Sequence, residues 1–555
     1  MRTVHPTSGI KSELVPSFPI EIPHRELKPG VQFKAGGEIL VYCNENLTEI
    51  RATRNRCRHN GGKFNPREGC VAKCSSHGWE LDCRTMTYVN PQGGLPQPEL
   101  EVELTASGIT IREGTSETRV PVKGEKQPLE PGQLRLRFLA HACMEIRCGK
   151  KKIFTDPWLV GPAFARGWWL IHHVPEGWAE DVASADLVYI SHNHSDHLSP
   201  HSLKEIVKIN PDLRIVVPGF ESTFCQDTLK RLGFTRIEVA KFCEPIDLDD
   251  HLRISVLPDA SGRDDSGLFL EYKGHTLLNT VDSKNLCGGA LPHADVLLTS
   301  FAGAASGYPV CWEDMYSSSK IRDLAKGRRI SSLHQVRKVA EIVKPKAIVP
   351  FAGYFVEAHP ADVEMRERNV KNSPQGVRDY LRKEGFRGEI WLPVPNATFD
   401  VATLSVDESA VDPKRIYETD YQFEKYTGEI AAVAARSSFD DLRNVQRYFD
   451  WAGFRGDLVL ELVETDEDLK TVRRDYYVDF RNGKVTEARP AGAARFERMR
   501  VRQDVLWFVM HERQSWEEIS IGFQARFYRE PDVYNFDFWS HFQNDLPGAV
   551  LRLDE

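Results

Sequence analysis

Four side chains able to ligate a metal fall within six residues at the point where an apolar run stops. ADLVYI, residues 185–190, is followed directly by Ser191-His192-Asn193-His194-Ser195-Asp196-His197. A short run of β-branched and aromatic residues predicts a buried strand. A tight loop leaving its end turns alternate side chains into one crevice, so His192, His194, Asp196 and His197 can converge on one or two metal ions. That pattern belongs in a layered α/β domain whose polar residues gather at strand ends. From Leu134 onward the chain repeats it: LRLRFLAHA, KKIFTDPWL, LRIVVPG, LRISVLPD, HTLLNTVD, ADVLLTS and KAIVPFAGY are β-runs separated by helical stretches. A nitrogen and oxygen donor set with open positions suits iron(II) as well as zinc.

A second cluster precedes it. Cys57-Arg58-His59 and Cys74-Ser75-Ser76-His77 form C-x-H and C-x-x-H, fourteen residues apart. Two thiolates and two imidazoles from two loops can hold zinc, or a 2Fe-2S cluster with both cysteines on one iron and both histidines on the other. Each half carries one Cys and one His in that order, where a zinc finger pairs like with like, and Gly61-Gly62 and Gly78-Trp79 suit loops that approach cluster sulfurs closely. The segment resembles a Rieske iron–sulfur domain; Cys70 and Cys83 read as packed thiols. Such a cluster relays single electrons, so it implies a second redox-active site.

The chain's 555 residues exceed what one core organises, and three domains are expected. The expected order is an N-terminal arm (1–25), a Rieske antiparallel β domain (26–110), a linker (111–130), a central domain (131–400), a second linker (401–436) and a C-terminal α+β module (437–555). In that module DYYVDF and KVTEARP flank Arg481-Asn482-Gly483, an expected hairpin, and GFQARFYREPDVYNFDFWSHF is expected to be helical. The net charge of −8, without a basic tract, argues against nucleic acid as a partner, and no stretch is apolar enough for a membrane span. The amino terminus has no secretory pattern and the eleven cysteines suit reduced thiols, so a cytoplasmic location is expected.

The His192–His197 run is the signature of the metallo-β-lactamase superfamily, which implies an αββα sandwich. The resemblance assigns His192 and His194 to one metal and Asp196 and His197 to a second. It places a bridging carboxylate at Asp282 and a late histidine at His359. No third-motif histidine is visible; LPDASGRDD offers Asp259, Asp264 and Asp265 in its place, and His141 and Asp156 match the family's early strands. Joining a Rieske domain to this fold favours iron and O₂ chemistry over hydrolysis, since a zinc hydrolase has no use for an electron relay.

The whole chain resembles the CMP-N-acetylneuraminate hydroxylase family. AHACM, DPWLVGPAFARGWWL, YISHNHSDHLS, EYKGHTLLNTVD, FAGAASGYP, PFAGYFVEAHP, DWAGF, ETDED and IGFQARF carry the likeness over roughly residues 30–545. The C-terminal module is similar in outline to a sterol-carrier-like fold. The resemblance implies a monooxygenase with a Rieske 2Fe-2S cluster and one or two non-heme irons. Electrons from NAD(P)H would arrive through a separate reductase and a carrier such as cytochrome b5 or ferredoxin, because the chain has no dinucleotide or flavin motif. The substrate it implies is a CMP-sugar, with Arg166, Trp168 and Trp169 able to clamp phosphate and stack a base or else simply to pack. Oxygenation of a small amine and zinc hydrolysis remain the alternatives.

Overall fold

The computed structural model describes residues 18–57, 63–74, 79–90, 97–112, 125–261, 263–283, 285–357, 359–415, 442–544 and 546–548. The chain divides into two compact units, Met1–Glu117 and Thr118–Glu555.

Among its described residues the first unit has three small antiparallel sheets. Ile20–Pro23, Gly108–Arg112 and Glu101–Thr105 form one, and Gly30–Lys34, Ile39–Cys43 and Ile50–Arg54 a second. The third joins Phe64–Pro66, Val71–Cys74, Glu80–Asp82 and Thr87–Asn90. Ile22, Ile39, Val41, Ala52, Ile109 and Ile111 close a core between the first two sheets. The antiparallel β character expected of this unit is what the described residues show.

The second unit contains the sandwich. One face is an eight-stranded sheet in the order Ile237–Ala240, Ile215–Pro218, Leu187–Tyr189, Lys151–Thr155, Cys143–Cys148, Leu134–Ala140, Thr398–Asp400, Ser405–Asp407. The other is a seven-stranded sheet running from Pro245–Asp247 to Glu389–Ile390. Alternation along the strands explains the layering. Ile153, Leu187, Tyr189 and Val216 point between the sheets, into a core with Ile254, Leu268, Val296 and Ile348. Their neighbours Phe154, Val188, Ile190, Ile215 and Val217 point outward, onto Leu203, Ile206 and Leu229 of helices Pro200–Ile209 and Phe224–Leu232. Val336, Val339 and Val343 of helix Ser318–Val343 and Val377 and Leu381 of helix Pro374–Lys383 cover the second sheet. The result is the αββα sandwich.

The C-terminal elements form a five-stranded sheet in the order Lys484–Thr486, Val472–Asp479, Leu458–Thr465, Arg495–Arg502, Ala525–Glu530. The Asn-Gly hairpin forms as expected, pairing Tyr477 with Thr486 and Asp479 with Lys484. The expectation of a helical closing segment needs correction: Phe536–Asn544 is helical, but Ala525–Glu530 is a strand antiparallel to Arg495–Arg502. Sheet pairing there overrides a local composition that looks helical. Trp516, Phe538 and Phe542 fill this module's core, which is continuous with the outer core of the sandwich through Phe508, Phe523, Phe164 and Trp168. Residues 416–436 of the second expected linker lie outside the described residues. Among the described residues no helix is long and apolar enough to cross a membrane.

Candidate metal centres

His192 to His197 leave the strand Leu187–Tyr189 as a tight loop, closed by the amides of His197 and Leu198 on His194 O at 3.0 and 2.7 Å. The loop ends at once in a helix because Ser199 caps it and Pro200 occupies its first turn. His141 and Asp156 each follow a neighbouring strand with φ of 42° and 37°, left-handed geometry uncommon outside glycine, and Val281 precedes Asp282 with φ of 47°. These turns bring the ends of separate strands to one place.

There the side chains form two overlapping triads, His141/Asp196/His197 and His192/His197/Asp282, whose donor atoms lie within 4.8 Å of one another. Asp196 Oδ2 is 3.1 Å from His141 Nε2 and 3.4 Å from His197 Nε2, and Asp282 Oδ2 is 3.6 Å from His197 Nε2. His192 Nε2 and His194 Nδ1 are 2.8 Å apart.

The opposite ring nitrogens are tied down. Asp156 accepts from the Ser191 amide at 2.7 Å and from its hydroxyl at 2.8 Å, and it lies 3.0 Å from His197 Nδ1. The Ser191 proton being spent on Asp156, its oxygen accepts from His192 Nδ1 at 2.9 Å. Asp265 stands 3.5 Å from the same nitrogen. His194 Nε2 meets Glu517 Oε2 at 2.8 Å. The network therefore assigns lone pairs to His192 Nε2, His194 Nδ1 and His197 Nε2, the atoms that face inward. Asp196 Oδ1 and His197 Nε2 are buried with no hydrogen-bond partner. Orphaned buried acceptors of this kind, with histidines oriented from behind by carboxylates, fit a divalent metal.

The surrounding charges favour a cation at this point, a proton or a metal. Burial opposes protonation of His197, but Asp196 and Asp156 outweigh it and raise its pKa well above the ordinary value. Burial likewise works against ionised Asp196, yet His197 and His141 hold its carboxyl well below the usual range. His192 is driven well below the usual value by burial and by the neighbouring His197 and His194. His194, although buried, is lifted to about 9 by the Glu517 carboxylate. Burial raises Asp265, with Arg263 pulling the other way.

Three expected ligands stand in neither triad: His194, which instead places Nδ1 beside His192 Nε2, His359 and Asp259. His359 caps the turn Pro360–Asp362, its Nδ1 accepting from the Ala361 amide at 3.1 Å. Burial and the cations Arg502, Arg166 and Arg526 depress it to about 2. Asp259 instead holds the loop that carries Asp282, accepting from the Ser283 hydroxyl and from the Asn285 amide at 2.9 Å. His141 stands in a triad and Asp156 supports His197. Glu517 was invisible to motif reasoning: 323 residues from His194, it sits in an ordinary WEEIS run with no local signal. The Arg166/Trp168/Trp169 clamp is not formed. Both tryptophans are buried in the strand Trp168–Leu170, Trp168 stacks on Phe355 at 3.5 Å, and Arg166 is buried against Asp504 at 2.9 Å.

In the first unit, Cys57 and Cys74 are buried, Cys74 at the end of the strand Val71–Cys74. His59 and His77 lie outside the described residues. Tyr88 presents its hydroxyl 3.4 Å from Cys57 Sγ and donates to Gln97 Oε1 at 2.6 Å. Gln97 is held by its own donations to Thr53 Oγ1 at 3.1 Å and Arg56 O at 2.9 Å. Thiols packed beside a buried hydroxyl are suited to a cluster whose sulfurs accept hydrogen bonds.

Residues 19–98 match the Rieske [2Fe-2S] domain family, and residues 135–250 match the beta-lactamase superfamily domain. Over nearly its whole length the chain is similar to the cytidine monophosphate-N-acetylneuraminic acid hydroxylase of Danio rerio, with 37% identity over 552 residues, 94% of this chain and 92% of that protein. The hydroxylase of Cricetulus griseus is 35% identical over 549 residues, 94% of this chain and 96% of that protein, and that of Mus musculus 35% over 549 residues, 94% of each. With both metal-binding domains matched and the relatives aligned almost end to end, the chain belongs to the cytidine monophosphate-N-acetylneuraminic acid hydroxylase family.

Proposed function

We propose that the protein hydroxylates the N-acetyl group of a CMP-sialic acid to N-glycolyl, with His192, His194, Asp196, His197, Asp282 and His141 holding the iron. The oxidoreductase class follows from the family: the protein is a Rieske-dependent non-heme iron monooxygenase carrying a 2Fe-2S cluster. The observation that carries the site assignment is the convergence of His141, His192, Asp196, His197 and Asp282, with the three inward histidine lone pairs fixed by Ser191, Asp156 and Glu517. Iron held there and supplied with electrons would provide the O₂ activation that hydroxylation of a methyl group requires. Cys57, His59, Cys74 and His77 hold the cluster.

The chain's own residues do the rest. Asp156 and Glu517 keep His197 and His194 in the tautomers that present lone pairs inward. Phe355, Trp158 and Trp168 surround His141 with aromatic rings and keep water from that side of the centre. The electron source is a separate NAD(P)H-dependent reductase with a small carrier. The cytoplasm is the proposed location, supported by eleven cysteines none of which forms a disulfide.

The test is NADH-dependent O₂ uptake in the presence of a reductase, cytochrome b5 and CMP-N-acetylneuraminate, with product followed by mass. Expected is substrate-dependent uptake and a gain of one oxygen on the N-acetyl group. Uptake driven by a small amine but not by the CMP-sugar would overturn the substrate, and turnover without reductant would overturn the oxygenase chemistry.

A further inference from the structure

The C-terminal module reaches the centre through Glu517. Glu517 opens the short helix Glu517–Ser520, and its carboxylate is the group behind His194. Both of its neighbours are anchored. Trp516 is fully buried in the aromatic core, its rings 4.4 Å from Phe542, its amide on Phe542 O at 2.9 Å and its indole N–H on Tyr448 Oη at 2.7 Å. Glu518, on the other side, accepts from the Ala165 amide at 2.7 Å in the sandwich. Four residues further on, the two backbones touch: a Cβ on Gly167 would stand 2.0 Å from Gly522 O, and one on Gly522 would stand 2.4 Å from Phe164 O. Only two glycines permit that approach. The module is thus fixed against the sandwich on both sides of Glu517, and the carboxylate's place is set by packing rather than by a free side-chain rotamer.

We infer that Glu517 is a positioning residue of the metal site, accepting the Nε2–H of His194 so that its Nδ1 lone pair stands beside His192 Nε2. The inference rests on the reading that this cluster holds iron. It gives the C-terminal module a function: it supplies the outer carboxylate for one histidine, as Asp156 does for His197 from within the sandwich. Two ring nitrogens 2.8 Å apart repel unless a proton or a metal lies between them. Holding the Nε2 proton outward on Glu517 makes the Nδ1 lone pair a stronger donor, for which a metal competes with the proton.

The experiment is equilibrium dialysis of the full-length protein, its cluster intact and its second site stripped of iron, against Co(II), counting bound cobalt per chain. Wild-type protein is expected to bind cobalt at this site. Glu517→Ala should weaken binding about 10- to 100-fold, the usual cost of losing an outer-sphere partner of a metal-bound histidine. Glu517→Gln, whose amide oxygen can accept the same hydrogen, should recover most of it. Arg500→Ala breaks the module's ion pair with Asp314 and should bind as wild type, which separates loss of docking from loss of the carboxylate. Undiminished affinity in Glu517→Ala overturns the inference, as does a Gln variant as weak as Ala while its thermal midpoint matches wild type. Failure of the wild-type protein itself to take up cobalt overturns the metal-site reading on which the inference stands.

Discussion

The two metal-binding units solve one problem in opposite ways. In the first, all four ligand-type residues fall between Cys57 and His77 in the sequence, in a unit that packs Ile39, Val41 and Ile109 in one cluster and also buries Phe64, Trp79 and Tyr88. In the second, the inward-facing groups come from positions as far apart as His141 and Asp282, and the group behind His194 from Glu517. A site closed by nearby loops depends on its cluster for cohesion, because binding energy there is folding energy. A site closed by strand ends is organised by the fold, with Asp156 and Ser191 of the sandwich and Glu517 of the C-terminal module holding its histidines. The spacing of ligands in sequence thus tells which partner, metal or fold, does the organising.

The largest effects should separate the units completely. Cys57→Ala or His77→Ala should abolish the visible absorption of the cluster and leave metal at His192 to His197, measured by metal analysis beside the spectrum. His192→Ala or Asp196→Ala should do the reverse, leaving a reducible cluster and no product. A single variant that loses both metals would break the contrast.

What the sequence made legible follows the same division. SHNHSDH was readable because the strand Leu187–Tyr189, the loop and the Ser-Pro helix start are consecutive, so local rules suffice. Asp282 was readable because HTLLN is a strand that stops nearby. His359 misled because PFAGYFVEAHP does not end where its motif position suggests. Phe355–Glu357 continues as a strand paired with Trp168–Leu170 and delivers His359 to a turn among arginines. Ala525–Glu530 misled because its pairing partner, Arg495–Arg502, decides its conformation. Glu517 had no signature at all, since the docking of its module on the sandwich, with Glu518 on Ala165 and Gly522 against Gly167, brings its helix to His194. Contacts made by tertiary packing leave no spacing to read.

The units should also answer differently to pH. Glu497, on the strand Arg495–Arg502, is pushed up to about 7 by burial, against the pull of Arg529 and Arg495. An acid raised in the folded state is harmless while protonated, so its contribution is fully favourable below its unfolded value near 4.5 and is lost as pH rises toward 7. A shift of that size corresponds to about 3 kcal/mol. Glu497→Gln should therefore match wild type near pH 4.5 and unfold at higher denaturant at pH 8, in the transition of the second unit. Equal midpoints at pH 8 would remove the buried carboxyl as a source of pH dependence.

Asp156 sharpens the idea of a site organised by the fold at a smaller scale. Asp156→Ala frees the Ser191 hydroxyl and the Nδ1 of His197, and metal affinity should fall about 10- to 100-fold with the cluster spectrum unchanged. An affinity equal to wild type would mean that the strand ends alone orient the ring.

The smallest expected effect tests whether the first unit, too, tunes its metal from behind. Tyr88 has one proton and two neighbours able to take it: Gln97 Oε1 at 2.6 Å and Cys57 Sγ at 3.4 Å. With the Gln97 nitrogen held on Thr53 and Arg56, its Oε1 stays in place and the Tyr88 proton is shared between it and Cys57 Sγ. A hydrogen bond to a cluster sulfur stabilises the reduced, more negative state and raises the potential. Tyr88→Phe should therefore lower the cluster's midpoint potential, and a net hydrogen bond of about 1 kcal/mol corresponds to roughly 40 mV for one electron. Gln97→Leu should move it upward by returning the proton to Cys57 Sγ. Opposite shifts from two residues in one chain of hydrogen bonds could not come from a general loosening of the fold, which would move both variants the same way. Shifts of one sign would leave the first unit's cluster organised by its ligands alone.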